Sequence, residues 1–334
     1  MLIIVITFLG SALVTALLRA YLLRRKVLDI PNVRSSHTVP TPRGGGVGIV
    51  LIFLLVVLWL IYRGSLAGNL GWALIGGGFA VALTGLLDDH FHLSVWVRLL
   101  IHFAAAGWAL WQVNGMGPLH LGWIVWNWGW LGQFFALVGL VWMINLYNFM
   151  DGIDGLAGIE ALCVSGFGAL LMAWSGLPGL SSLAMALAAA SAGFLVWNWP
   201  PARIFMGDAG SGFLGFVFGV LAISSAKERP GLLWPWLILL AVFIVDSMIT
   251  LVRRLIAGAR WYEAHRSHAY QQAALQQGHL KVILTAAVIN VAWLFPLAWG
   301  SSVWPASAPL FAAIAAAPLI YTAFRYHAGA FTAI

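Results

Sequence analysis

The chain has 334 residues, of which 62% are hydrophobic and only 8% charged, with a mean hydropathy of +0.94. A soluble domain carries about a quarter charged residues, so the composition excludes a soluble globular protein and describes a polytopic membrane protein. The 17 basic against 10 acidic side chains give +7, but no basic stripe with base-stacking aromatics forms, so no nucleic-acid partner is predicted. The single cysteine, Cys163, excludes a disulfide framework and a Cys-based metal site.

Apolar stretches long enough to span a bilayer, about 17 to 25 residues, lie at 2–22, 46–62, 69–87, 97–113, 131–149, 156–175, 180–197, 211–226, 231–252, 281–300 and 305–325. They predict an all-α polytopic membrane protein of about eleven transmembrane helices, a single domain over 1–334 without internal repeat or separate soluble part. The first stretch has Arg19, Arg24, Arg25 and Lys26 behind it and no basic residue before it, which predicts a retained span with its N-terminus outside. The inner connections are then 23–45, 88–96, 150–155, 198–210 and 253–280, and of the 17 basic residues only Arg63, Lys227 and Arg229 fall on the outer side. The positive-inside rule therefore predicts a periplasmic N-terminus and a cytoplasmic C-terminus. On the outer side, GWIVWNWGW at 122–130 reads as an interfacial aromatic belt.

Polar residues concentrate on the inner side. LDIPNVRSSHTVPTPRGGG, 28–46, carries Arg34, His37 and Arg43 on a loop able to lie over a site there. GLLDDHFHLS, 85–94, sets Asp88 beside Asp89; one carboxylate can bind metal while its neighbour takes a proton, or the pair simply ends a helix. In NLYNFMDGIDGLAG, 145–158, Asn145, Asn148, Asp151 and Asp154 recur every three residues, one side of the inner end if the segment is helical. Gly152, Gly155 and Gly158 repeat with the same step and permit close approach of a backbone or ligand; the alternative is a glycine-lined packing face with capping Asn and Asp. In NWPPARIFMGDAGSGFLGF, 198–216, glycines flank Asp208 and Ser211 just before a span, where backbone N–H groups suit phosphate and Asp208 a metal.

RRLIAGARWYEAHRSHAYQQ, 253–272, carries Arg253, Arg254, Arg260, Arg266 and the pair His265/His268. The pair lacks the Glu and third ligand of a zinc site, and cationic, hydrogen-bonding groups for a diphosphate fit better than zinc; a solvated basic loop is the alternative. Five acidic residues in three separate inner connections are costly to hold together unless a divalent cation shares them. The complementary ligand is a metal-chelated diphosphate, and the membrane surface makes a lipid the other substrate, so phosphoryl transfer between a nucleotide and a lipid follows. A rival reading is an ion-coupled transporter with intramembrane carboxylates; it predicts acids at mid-membrane and an inverted repeat, whereas most acids here cluster on one side.

The ordered set DD (Asp88, Asp89), NxxNxxDGxDGL (Asn145 to Leu156), NxxPAxxFMGDxGS (Asn198 to Ser211) and an inner His-containing loop resembles the polyprenyl-phosphate N-acetylhexosamine-1-phosphate transferases, the MraY/WecA-like glycosyltransferase family 4. The resemblance runs from Asp29 to about Gln272, and HRSHAYQ with VRSSH and TPRGG looks closest to the O-antigen-initiating, WbpL-like branch. It implies transfer of a sugar-1-phosphate from a UDP-N-acetylhexosamine to undecaprenyl phosphate with release of UMP, dependence on Mg²⁺ or, alternatively, Mn²⁺, and a multi-pass enzyme of the bacterial inner membrane with its active site facing the cytoplasm. A homodimer is compatible with it, as is a role in lipopolysaccharide O-antigen assembly. Carried over by motif, Asn148 and Asp208 match metal ligands; Asp88, Asp89, Asp151, Asp154 and His268 match catalytic positions. His37, Arg43, Asn198, Phe205, Ser211, His265 and Arg266 match substrate-binding positions, Asn198 and Phe205 on the uridine side. Where WecA-like members carry a run such as HxHH this chain has HAYQ, and the likeness to the O-antigen branch implies a 6-deoxy sugar such as UDP-N-acetylfucosamine or UDP-N-acetylquinovosamine, with UDP-N-acetylglucosamine as the alternative.

Overall fold

A computed structural model describes residues 2–31, 39–258 and 266–330; His37 and His265 lie outside the described residues. The helices are α1 Leu2–Arg24, α2 Val47–Tyr62, α3 Gly68–Phe91, α4 Val95–Gln112, α5 Gly129–Phe149, α6 Leu156–Trp174, α7 Pro178–Asn198 and α8 Asp208–Glu228. They continue as α9 Leu233–Leu239, α10 Ala241–Ile256, α11 Ala269–Gln277, α12 His279–Ile289, α13 Phe295–Val303 and α14 Ala308–Arg325. Each apolar stretch of the sequence falls on helix. Among the described residues, 8 helical spans are long and apolar enough to cross a membrane, or 9 if one bent pair counts as a span, so the chain is multi-pass but does not reach eleven by these criteria. The 16 residues of α2 reach only about 24 Å at 1.5 Å per residue, and the apolar run of α4 is interrupted by Arg98 and His102.

Two segments differ from the sequence reading. The stretch 231–252 is not one straight helix: α9 and α10 meet at a 74° bend at Leu240. The aromatic belt holds a short antiparallel hairpin, β1 Leu119–Leu121 and β2 Ile124–Trp126, paired Leu119 to Trp126, and its Trp123, Trp126 and Trp130 side chains are exposed as an interfacial role requires.

The bundle is organised around α8. Its Phe213, Phe216 and Phe218 are wholly buried, and it lies between α3 and α5. Because α8 begins at Asp208, the central helix starts where α3 ends with Asp88 and Asp89 and α5 ends with Asn148. Burial of small and apolar residues thus carries three acidic motifs from 88 to 208 to one end of the bundle. Gly85 makes the approach of α3 to α8 sterically feasible, since a Cβ there would lie 2.4 Å from the Asp208 backbone.

Candidate active site

Backbone pairing assembles the first layer of the site. Phe205 N donates to Pro42 O at 2.8 Å, and Gly44 N and Gly45 N donate to Phe205 O at 3.0 and 2.8 Å, with Gly46 N on Met206 O at 2.9 Å. The TPRGG segment therefore runs beside IFMGD and delivers Arg43 next to Asp208. Asp89 Oδ2 accepts from Asp208 N at 3.0 Å, so a carboxylate of α3 caps the first turn of α8, where the helix dipole favours negative charge. The intervening Gly207 has φ +77°, and a Cβ there would meet Asp89 Oδ2 at 2.6 Å; glycine is required by both backbone and space.

Two arginines neutralise the acids. Arg43 Nε lies 2.9 Å from Asp89 Oδ1, and its Nη2 bonds Asp208 Oδ1. Burial works against the Arg43 charge, but Asp208, Asp89, Asp151 and Asp29 outweigh it and hold the guanidinium above its ordinary range. Arg98, on the first turn of α4, pairs with Asp88 Oδ2 and lies 4.0 Å from Asp208 Oδ2. Asp88 Oδ1 also accepts from Leu93 N at 2.8 Å, closing the turn between α3 and α4. Asp151, just past α5, is pushed well above the usual carboxylate range, chiefly by burial; Arg43 opposes this, and Asp208, Asp89 and Asp154 add to it.

Asn148 and Asp208 line one small polar cavity together with Asp88, Arg98, His102 and Asn145. Asn148 Nδ2 donates to Ser211 Oγ at 3.2 Å, and Ser211 Oγ donates to Gly207 O at 3.2 Å. Ser211, expected to meet substrate, is buried and instead orients the Asn148 amide. The site's donors are carboxylate and amide oxygens, which suit a hard divalent cation. Among the described residues no group of three His, Cys, Asp or Glu side chains converges as a metal cage.

The four polar residues spaced by three do not share one helix face, because α5 ends at Phe149 and Asp151 and Asp154 stand in the following loop. Asp154 Oδ2 accepts from Ala202 N at 3.1 Å and lies 3.3 Å from His279 Nδ1, at the start of α12. Asn198, expected at the uridine, is only 3% exposed; its Oδ1 accepts from Gly155 N at 3.0 Å and its Nδ2 donates to Ile204 O at 2.9 Å. Both ends of its amide are spent on backbone, so Asn198 shapes the wall of the site. Phe205 holds the 42–46 segment through its backbone.

The profile of Glycosyl transferase family 4 matches residues 71–226. A probable undecaprenyl-phosphate N-acetylglucosaminyl 1-phosphate transferase of Bacillus subtilis (strain 168) is 30% identical over 274 residues, covering 80% of this chain and 75% of the relative. The chain belongs to glycosyl transferase family 4. It is similar also to the decaprenyl-phosphate N-acetylglucosaminephosphotransferase of Mycolicibacterium smegmatis, 27% identical over 325 residues, 86% of this chain and 78% of the relative. The undecaprenyl-phosphate alpha-N-acetylglucosaminyl 1-phosphate transferase of Escherichia coli (strain K12) is 28% identical over 290 residues, 81% and 76% of the two chains. This family 4 protein is accordingly a membrane phosphotransferase, and the matched span contains Asp88, Asp89, Asn148, Asp151, Asp154 and Asp208.

In the family 4 protein the residues that open α11 pack against Asp246 of α10. His268 is buried, 4% exposed, with Nδ1 3.2 Å from Asp246 Oδ1, and its ring stacks on Tyr270 at 5.6 Å. Arg266 O accepts from Gln272 Nε2 at 2.8 Å. The sequence reading missed Arg98 and His279. A signal for Arg98 was present: a cation in the first turn of an apolar helix opposes the helix dipole and needs an acidic partner. His279 gave none, since 125 residues separate it from Asp154.

Proposed function

We propose that this protein transfers an N-acetylhexosamine-1-phosphate from a UDP-sugar to undecaprenyl phosphate, releasing UMP, on the cytoplasmic side of a bacterial inner membrane, as the initiating step of O-antigen assembly. The observation that carries this reading is the convergence of Asp88, Asp89, Asp208, Arg43 and Arg98 at the start of the central helix, beside Asn148. An acid cluster bridged by two arginines suits a ligand that brings both a cation and phosphate anions, which exchange partners with the resident ion pairs. An ion-coupled transporter gains no support from acids gathered at one helix end.

An oxygen of the lipid phosphate attacks the β-phosphorus of the UDP-sugar, a new P–O bond forms, and the bond to the bridging oxygen breaks as UMP leaves with the electron pair. Asn148 and Asp208 are the residues that would hold Mg²⁺, or Mn²⁺ in its stead, and the ion would neutralise charge on the diphosphate. Arg43 and Arg98, released from the carboxylates, face the phosphates as charge-assisted donors. Where the lipid phosphate still carries a proton, Asp88 or Asp89 takes it before the attack; the second pKa of phosphate is about 6, so little base strength is needed. Arg266 and His268 face the donor's sugar-diphosphate end.

N-acetylglucosamine is the sugar in the relatives' names, whereas the HAYQ sequence at 268–271 favours a 6-deoxy sugar. Purified protein given undecaprenyl phosphate, Mg²⁺ and a panel of UDP-N-acetylhexosamines decides between them by UMP release. Release with none of the panel refutes the transferase reading.

A further inference from the structure

Asp246 stands on α10 beyond the 74° bend, and its carboxylate gathers three donors and the edge of the His268 ring. Oδ1 accepts from Thr250 Oγ1 at 3.0 Å and from Ala269 N at 3.0 Å, and it lies 3.2 Å from His268 Nδ1. Oδ2 accepts from Tyr270 N at 3.0 Å. The Asp246 side chain is 9% exposed, and a carboxylate so placed is expensive unless it is fully hydrogen-bonded, as this one is.

Ala269 N and Tyr270 N belong to the first turn of α11, whose leading N–H groups have no partner within the helix. A capping acceptor ordinarily comes from the residue that starts the same helix; here a further one arrives from α10, 23 residues upstream of Ala269. Helix α11 is therefore docked by its N-terminus onto a single carboxylate. Tyr270 passes the placement on. Its hydroxyl donates to Phe149 O at 2.9 Å, the last residue of α5, and the same oxygen would lie 2.1 Å from a Cβ at Gly152, beside Asp151. One carboxylate thus fixes the His268 ring through Nδ1 and the position of α11 against the 150–155 loop.

We propose that Asp246 is a positioning residue of the transfer reaction: it sets the start of α11, with His268 and Tyr270, against the acidic loop after α5. This rests on the transferase reading above. A residue that merely capped α11 would affect stability and leave His268 and the 150–155 loop unmoved. The isosteric Asp246→Asn separates these roles, because an amide has one acceptor oxygen and its NH₂ must oppose either Tyr270 N–H or the Oδ1 donors.

The test is a double-mutant cycle of Asp246→Asn and His268→Gln, read as kcat/KM for the UDP-sugar, together with hydrogen–deuterium exchange of the single variant. Positioning predicts that Asp246→Asn alone loses at least tenfold, that the double variant is within threefold of the worse single variant, and that exchange accelerates both in 269–277 and in 150–155. Losses that multiply, full activity of Asp246→Asn, or faster exchange confined to 269–277 overturn it. If Asp246→Asn does not fold, Thr250→Val replaces it in both arms with the same outcomes, since its hydroxyl shares Oδ1 with the His268 ring. If the wild type releases no UMP, the transferase reading falls and the exchange arm alone decides the placement.

Discussion

The Arg43 guanidinium joins Asp89 and Asp208, Nε 2.9 Å from one carboxylate and Nη2 on the other, so that two acids from separate helices share one cation. Arg43→Lys keeps the charge but replaces a planar fork by a point donor that cannot span both acids. Its kcat is expected to fall by about tenfold. Arg43→Ala removes the donor altogether and is expected to cost on the order of 10² in kcat, the scale for loss of one preorganised donor to developing charge. UMP release under saturating substrates measures both, and unchanged kcat in Arg43→Ala removes Arg43 from the chemistry.

The metal assignment predicts a dependence on ion concentration. Chelation of divalent ions is expected to abolish turnover, with recovery on adding Mg²⁺. Asp208→Asn and Asn148→Ala should both require a higher Mg²⁺ concentration for half-maximal rate, whereas Ser211→Ala, which frees the Asn148 amide to rotate, should produce a smaller shift in the same direction. Mg²⁺ titrations overlaying that of the wild type would reassign the ligands.

Asn198→Ala leaves Gly155 N and Ile204 O without their partners in a buried setting. Each unsatisfied group costs about 1 to 3 kcal/mol, so the variant is expected to lower Tm in detergent by several degrees and to raise KM for the UDP-sugar with little change in kcat. A normal Tm with a raised KM would instead make Asn198 a direct substrate contact.

Gly85→Ala places a methyl 2.4 Å from the Asp208 backbone, and separation of α3 from α8 is the only relief. Overpacking of this kind costs about 1 to 3 kcal/mol. Because the shift separates Asp89 from Asp208 N, activity is expected to fall further than stability, which parallel thermal and kinetic measurements detect.

Asp151 gives stability a pH dependence. Its carboxyl is raised in the folded chain by burial, so above the ordinary carboxylate range the folded state holds a proton that the unfolded state has released. Stability then falls as pH rises from that range until the folded carboxyl ionises. Asp151→Asn is expected to flatten this decline in metal-free protein, and an unaltered pH–stability slope would contradict it.

The helices were legible because apolar length is written directly into the chain: every stretch from 2–22 to 305–325 lies on helix. The bend at Leu240 was not, since residues 231–245 form one continuous apolar run across the junction of α9 and α10 and nothing local to Leu240 breaks it. Asp88, Asp89, Asn148 and Asp208 were legible as a constellation because unpaired acids in an apolar chain demand a reason. Their division of labour was hidden, because it depends on pairings between distant segments: Asp89 with the start of α8, Asn198 with Gly155, Asp154 with His279. Periodicity misled at 145–154, where a step of three suggested one helix face but the helix stops at Phe149 and leaves Asp151 and Asp154 on a turn. Ser211 looked like a phosphate contact from its glycine neighbours, and only the packed structure shows its hydroxyl donating to Gly207 O and accepting from Asn148.

Asp89 is at once an acid of the site and the stop that sets where α8 begins. The site therefore cannot be transplanted as a set of side chains onto another bundle: a graft of Asp88, Asp89, Asn148 and Asp208 would need the Gly85 crossing and the Gly207 turn to come with it. The same coupling limits an alanine scan, in which loss at Asp89 would mix a displaced helix with missing chemistry. Asparagine at that position keeps an oxygen for Asp208 N while surrendering the charge, so it is the substitution that tells the two apart.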